Sequence, residues 1–259
     1  GLGGRDHRVN VLEELAATKF DIPRFANLLG VQGHPGQRRF WKAVIARNET
    51  RWRPEHLTVC LSSGNRAGKT LALAIVVIHH CVHKMGMRPP DVFNDRDLET
   101  WVRAPFHWFH FGIQQEVGDL LWKEIDLLLS GRHPAQKGKG CPLVDALGPI
   151  AITDTKERGE YRWVRFDAIL GGAEIHFRTT NEKAVGSLGQ DMNGISYDEC
   201  GLDPNLYFVV NEVLHLRRLG TGGPLIMIST PSEGFTGFAD EWLKGDPINP
   251  QREPHRISL

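Results

Sequence analysis

One run constrains this chain more than any other: Leu57 to Thr70, LTVCLSSGNRAGKT, an apolar segment, a glycine-rich turn, then a lysine and a threonine. It leads into LALAIVVIHHCVHKM, Leu71 to Met85, apolar for most of a helix length, so the stretch reads strand, loop, helix. That is the context a phosphate-binding loop requires. Glycines let backbone amides converge on an anion, the helix N-terminus adds its partial positive charge, and an ammonium meets the outer phosphates. Lys69 supplies the ammonium, and the Thr70 hydroxyl is suited to Mg2+. The usual pattern has glycine five residues ahead of the Gly68-Lys69 pair; here Ser63 stands there, with Gly64 one step later. The expected phosphate contacts are Ser63, Gly64, Asn65, Arg66, Ala67, Gly68, Lys69 and Thr70. A second glycine-lysine pair, in the GKG of Gly138 to Gly140, has neither strand before it nor helix after it and reads as a loop.

With 259 residues, 41% of them hydrophobic, the chain is long enough for one large α/β domain. Its net charge of +0 gives no global field of the kind that announces a nucleic-acid binder, so a polyanion has to be met by a local patch. The four cysteines, Cys60, Cys81, Cys141 and Cys200, show no paired spacing for zinc or a disulfide framework and suit a reducing cytosol. The longest apolar run, after Lys69, is too short and too rich in histidine to span a bilayer. The expectation is a soluble protein of the cytoplasm with no membrane partner.

Along the chain, Val9 to Leu29 carries apolar residues at helical spacing and a break at Pro23. A helix follows the turn GHPGQ, with Phe40, Trp41, Val44 and Ile45 on one side. Arg38, Arg39, Lys42 and Arg47, joined by Arg51 and Arg53, form the densest positive cluster, either a solvated face or a DNA-backbone contact. Phe106 to Ile113 reads as a buried strand, Glu116 to Leu129 as an amphipathic helix, and Ser130 to Pro149 as a long loop. Tyr161 to Phe166 and Ala173 to Thr180 read as strands of a hairpin joined across Gly171-Gly172. Farther on, Asp203 is a natural N-cap with Pro204 at the first helical position and Gly220 past the end, and Pro224 to Thr230 is the last core strand. Strands alternating with helices imply a mainly parallel sheet with right-handed crossovers. The expected division is a helical lead-in over 1–55, a core over 56–238 and a tail or linker over 239–259.

Asp198-Glu199 is the second element that a nucleotide hydrolase needs. An aspartate at the end of a core strand holds Mg2+ beside the threonine of the loop, and the adjacent glutamate orients or deprotonates the attacking water. The plainer alternative is a turn that ends a strand. Ser229 and Thr230 close the next strand, where a parallel sheet brings hydroxyls close to a γ-phosphate; a simple Ser-Thr-Pro strand end is the alternative.

From Gly33 to Phe238 the order of these residues resembles the large terminase subunit of tailed bacteriophages, the ATPase motor that packages double-stranded DNA. Gln37 in HPGQRRFW looks like that family's adenine-recognition glutamine, SGNRAGKT is similar to its deviant phosphate loop, SYDE to its metal-binding and catalytic acids, and STPSEGFTGF to its coupling motif. The resemblance implies a RecA/ASCE-like P-loop NTPase fold, a mainly parallel sheet flanked by helices. It implies ATP and Mg2+ as cofactors, Gln37 on the adenine, Lys69 and Thr70 on phosphates and metal, Asp198 assisting the metal, and Glu199 activating water. Arg66 is placed like the loop arginine that some members use in cis. Implied partners are double-stranded DNA, a portal protein and a small terminase subunit, with the chain a monomer in isolation, a homo-oligomeric ring when assembled, and at work in the host cell cytoplasm.

Two features depart from the family. An arginine expected about ten residues before the acid pair is missing from AVGSLGQD, and Arg158, Arg162, Arg165 and Arg178 are all possible substitutes. The acids after the coupling motif, Asp240, Glu241 and Asp246, do not form a recognisable nuclease site, so the chain reads as the ATPase half. The pairs His79/His83 and His107/His110 lie close enough to suggest metal, but no third ligand stands at a workable spacing. Two other readings of the same motifs are a superfamily 2 helicase-like ATPase, which ordinarily needs a second domain, and a nucleotide-binding switch that does not hydrolyse.

Overall fold

The computed structural model describes residues 3–45, 58–62, 64, 68–85, 104–155, 162–167, 172–180, 191–218, 221–230 and 255–258. Its frame is an eight-stranded sheet in the order β3-β4-β5-β2-β6-β7-β1-β8. The strands are β1 (Thr58–Ser62), β2 (His107–Gly112), β3 (Ala151–Thr155), β4 (Arg162–Phe166), β5 (Glu174–Thr179), β6 (Gly194–Asp198), β7 (Leu225–Ser229) and β8 (His255–Ser258). From β5 to β8 every neighbouring pair is parallel, while β3 and β4 add antiparallel strands at one edge. The fold is therefore the expected α/β P-loop type.

Strands β1, β2, β6 and β7 are short and almost wholly buried because both of their faces are covered. On β1 and β7, Val59, Leu61, Ile226 and Ile228 enter the core that holds the helix after the phosphate loop. Cys60, Leu225 and Met227, alternating with them, enter a second core on the other face with Tyr197, Val209 and Val213. Helix α4 (Lys69–His83) is buried without interruption from Ala72 to Cys81, as befits a helix apolar on every side.

The N-terminal region is riveted to α4 rather than standing apart. It comprises α1 (Gly3–Ala17), α2 (Ile22–Leu28) and α3 (Pro35–Ala43). The helical run breaks just before Pro23 as expected: α1 ends at Ala17 and Pro23 sits in the first turn of α2, whose N-cap Asp21 accepts from Arg24 N at 3.0 Å. Trp41 is fully buried, donates from Nε1 to Ala72 O at 3.0 Å, and lies so close to Gly33 that a Cβ there would meet its ring at 2.3 Å.

Four expectations are corrected. The long loop from Ser130 holds a 3-10 turn at Pro134–Gln136 and helix α6 (Pro142–Leu147), after α5 (Gln115–Leu129). Each proline starts a turn, and the buried Gln136 amide donates to Leu29 O and Leu128 O, so the segment is pinned to the core. The hairpin of β4 and β5 is present but gains β3, an unforeseen third strand. Part of the expected tail, β8, pairs in parallel with β1. Finally, the last helix, α7 (206–218), begins at Leu206 instead of at Pro204. Asp203 still makes a cap-type bond, its Oδ1 accepting from Asn205 N at 2.7 Å and its carbonyl from Leu206 N at 3.2 Å, while Oδ2 accepts from the Tyr197 hydroxyl. Within α7, Val209–Leu214 winds as a π-helix between α-helical ends.

Replacing Trp41 with Ala opens a cavity between α3 and α4 and leaves Ala72 O without this donor. The expected cost is about 3–5 kcal/mol of unfolding free energy, read by urea denaturation. A loss under about 1 kcal/mol would show that the N-terminal helices are not integral to the core.

Candidate nucleotide site

Gly68 opens α4 in the left-handed conformation, φ 74°, and a Cβ there would meet Gln37 Nε2 at 2.9 Å. Glycine thus serves twice, in the turn and in the approach of α3. Gln37 is 4% exposed and both ends of its amide are engaged: Oε1 accepts from His34 N at 3.1 Å in a capping box, and Nε2 donates to Gly68 O at 3.1 Å. The glutamine expected to read an adenine edge therefore lies directly against the phosphate loop. Ser63, Asn65, Arg66 and Ala67 fall outside the described residues, and Gly64 is exposed.

Lys69, the first residue of α4, is only 7% exposed and reaches across the ends of two strands. Its Nζ lies 3.4 Å from Glu199 Oε1 and donates to Thr230 Oγ1. Thr230 in turn gives its backbone N–H to Glu199 Oε2 at 3.0 Å and its hydroxyl to Oε1 at 2.9 Å, while Ser229 Oγ stands 3.4 Å from Oε2. Three segments distant in sequence, the start of α4 and the ends of β6 and β7, thus meet in one polar cluster. Helix α4 brings the positive end of its dipole to this point.

Glu199 sits in the left-handed region at φ 46° without being glycine, a conformation held by its carboxylate contacts. Burial pushes its carboxyl up, but the hydrogen bonds from Thr230 and the charge of Lys69 outweigh that and hold it below the usual range. Asp198 is the opposite case. Burial, then the neighbouring Glu199 charge, push it up to about 7, although Oδ1 accepts from Glu199 N at 2.9 Å. Adjacent carboxyls are thereby driven apart, one anionic and one able to hold a proton near neutrality. Thr70 and Asp198, each one residue from the Lys69–Glu199 contact, offer hard oxygen donors of the kind Mg2+ takes.

Of the arginines considered as substitutes, Arg158 falls outside the described residues, as do Pro231 to Phe238 of the coupling motif. Arg162 pairs with Asp119 at 2.7 Å and covers the Trp122 ring. Arg165 pairs with Glu174 at 2.6 Å, in register with the first residue of β5, at the far end of the sheet from Glu199. Arg178 is the partner of Phe111, which pairs with Tyr197, so it lies at the acid end. Sequence reasoning missed Arg218, fully buried, which donates to Thr58 Oγ1 at 2.9 Å and ties α7 to the start of β1. No short motif marks it; only its burial does.

No protein-family model and no curated protein matches the sequence. Solved structures do. The large terminase ATPase domain of Thermus phage P74-26 superposes with a TM-score of 0.56 at 14% identity, covering 91% of this chain and 83% of its own. This chain has the fold of that ATPase domain. The HK97 bacteriophage large terminase gives a TM-score of 0.52 at 14% identity over 87% of this chain, which spans 39% of the HK97 protein.

The raised pKa of Asp198 has a thermodynamic consequence. Its folded value, about 7, exceeds the ordinary 3.8, so its protonation stabilises the folded state fully below the ordinary value, and that stability is lost as pH rises towards 7. Asp198→Asn should remove this component. Between about pH 4 and pH 7 the variant gains stability relative to wild type as pH rises, read as a difference in urea midpoints. A constant difference across that window would contradict the assignment.

Proposed function

We propose that this chain is an ATP hydrolase, the ATPase part of a motor that drives double-stranded DNA into a viral procapsid. The observation that carries the reading is the meeting of Lys69, Glu199 and Thr230 at the N-terminus of α4 and the ends of β6 and β7. The fold shared with the Thermus phage ATPase domain supports it.

In this reading the Lys69 ammonium leaves Glu199 and Thr230 for the β- and γ-phosphates of ATP. Thr70 and Asp198 hold Mg2+, which when bound neutralises charge on the phosphates. Glu199, released from Lys69, orients the attacking water and accepts its proton. Thr230 keeps its hold on Glu199 through the backbone N–H and so senses whether the lysine is occupied. Gln37 contacts the adenine edge from α3, and Arg66 belongs to the loop around the phosphates. Double-stranded DNA, a portal protein and a small terminase subunit are the partners this role requires. The chain would work as a ring of copies in the host cytoplasm and be a monomer in isolation.

Lys69→Ala should abolish nucleotide turnover, because Lys69 is the cation that meets Glu199 and Thr230 in the cluster among the described residues. Glu199→Gln keeps the side chain's shape but not its basicity, so nucleotide binding should survive while hydrolysis falls about 100-fold or more. Single-turnover hydrolysis and titration with a fluorescent ATP analogue separate the two. Wild-type turnover in Glu199→Gln would move the catalytic base away from Glu199, and no turnover by the wild-type chain with DNA present would favour the non-hydrolysing switch.

Arg38, Arg39 and Lys42 are exposed on α3, and Arg47, Arg51 and Arg53 fall outside the described residues. If this cluster meets DNA phosphates, reversing the charge of Arg39 and Lys42 should weaken DNA affinity and flatten its salt dependence by about one counterion per lost contact. Unchanged binding across a salt series would leave the cluster a solvated face.

A further inference from the structure

At the end of the sheet away from the phosphate loop, three side chains of metal-ligating type converge. His107 opens β2 and Glu174 opens β5; the two are register partners on adjacent parallel strands, so their side chains leave the same face. His176, two residues past Glu174, emerges on that face again. His107 Nδ1 and His176 Nε2 are 3.1 Å apart, and Glu174 Oε2 lies 3.4 Å from the second and 3.9 Å from the first. These three are the one such group of His, Cys, Asp and Glu among the described residues.

The triangle has the size of one face of a zinc coordination tetrahedron. With metal–ligand bonds of about 2.0–2.2 Å, adjacent ligands stand about 3.3–3.6 Å apart. The observed edges bracket that spacing. The strands and their neighbours already fix each side chain. His176 stacks on Phe109 with ring centroids 4.7 Å apart, and the backbone N–H of His107 donates to Asn193 Oδ1 at 2.8 Å. Glu174 accepts at its other oxygen, Oε1, from Arg165 Nε at 2.6 Å, which turns Oε2 towards the histidines.

We propose that His107, Glu174 and His176 bind a divalent cation of the zinc class, leaving a fourth position for water. Two imidazoles with one carboxylate suit Zn2+ and its borderline neighbours rather than Mg2+ or Ca2+, which take oxygen. All three residues are half-buried, so an ion can enter and one coordination position stays open. The ion straps β2 to β5 and, through Arg165, to β4, at the seam between the parallel sheet and its antiparallel edge. It is a different ion in a different place from the Mg2+ of the nucleotide reading. Five residues of β2, roughly 16 Å of strand, separate His107 from Gly112, the register partner of Asp198.

The test uses the whole chain, free of any affinity tag and stripped with a chelator. Zn2+ is titrated in competition with a chromogenic chelator, and Co2+ is followed by its visible ligand-field absorption. The expected result is one tightly held ion per chain, a tetrahedral Co2+ spectrum, and a melting temperature that rises with Zn2+. Glu174→Gln and His176→Ala should lose all three, whereas Glu13→Gln, which neutralises an exposed carboxylate on α1, should keep them. Glu174→Gln retains the shape of the side chain, so circular dichroism can establish that the variant is folded. The proposal is overturned if wild type holds no ion more tightly than Glu174→Gln does, or if the double variant His107→Ala/His176→Ala still gives the tetrahedral spectrum.

Discussion

A lysine ammonium that is 7% exposed has to find acceptors, and in this protein the requirement decides the layout of the site. Lys69 begins the central helix, so its acceptors must come from whatever strand ends lie beneath that helix terminus. Glu199 and Thr230 provide them from β6 and β7. Both turns that make the meeting possible are left-handed, at Gly68 and at Glu199. For Gly68 that conformation is free of strain, whereas Glu199 adopts it under the constraint of Thr230, which binds both of its oxygens. The charge pair is compensated within the cluster, and that compensation keeps Glu199 anionic while Asp198 beside it is pushed towards protonation.

Around this cluster the core works as a positioning device. Helix α4 is packed on one sheet face and gripped from outside by α3 through Trp41 and Gln37, so the loop that opens it is held from two directions. The other face is sealed by α7, anchored through Arg218 to Thr58 at the start of β1, the strand that feeds the loop. A displacement of α3 would therefore reach the Gly68 turn through a direct contact, and one of α7 would reach the start of β1.

The histidines show how one residue type divides by environment. His79 and His80 are buried and hydrogen-bonded to backbone carbonyls, joining α4 to the turn after α1 and to the end of α3. Burial holds His80 down to about 4 and His110 down to about 3, so these rings act as neutral core groups. His107 lies three residues from His110 but on the opposite face of β2, where it meets His176 instead. Sequence spacing along one strand could not reveal that pairing, because His176 stands on a neighbouring strand about seventy residues later.

Much of the fold was legible from local pattern. The strand-loop-helix at Lys69, the acids at the end of β6, and the strand ending in Ser229-Thr230 are each written within a few residues, since period and turn chemistry are local properties. The misreadings have local causes as well: prolines at 134 and 142 start turns instead of extending a loop. What the sequence determined by itself is the class of sheet and the placing of the Gly68-Lys69 turn and the Asp198-Glu199 pair at strand ends, because these follow from alternation, glycine placement and charge. What only the tertiary structure decided is which of them touch: the bond from Lys69 to Glu199 and Thr230, the clasp of Gln37 on Gly68, and the gathering of His107, Glu174 and His176. Those contacts depend on strand order and register across the whole sheet, and no window of sequence contains that information.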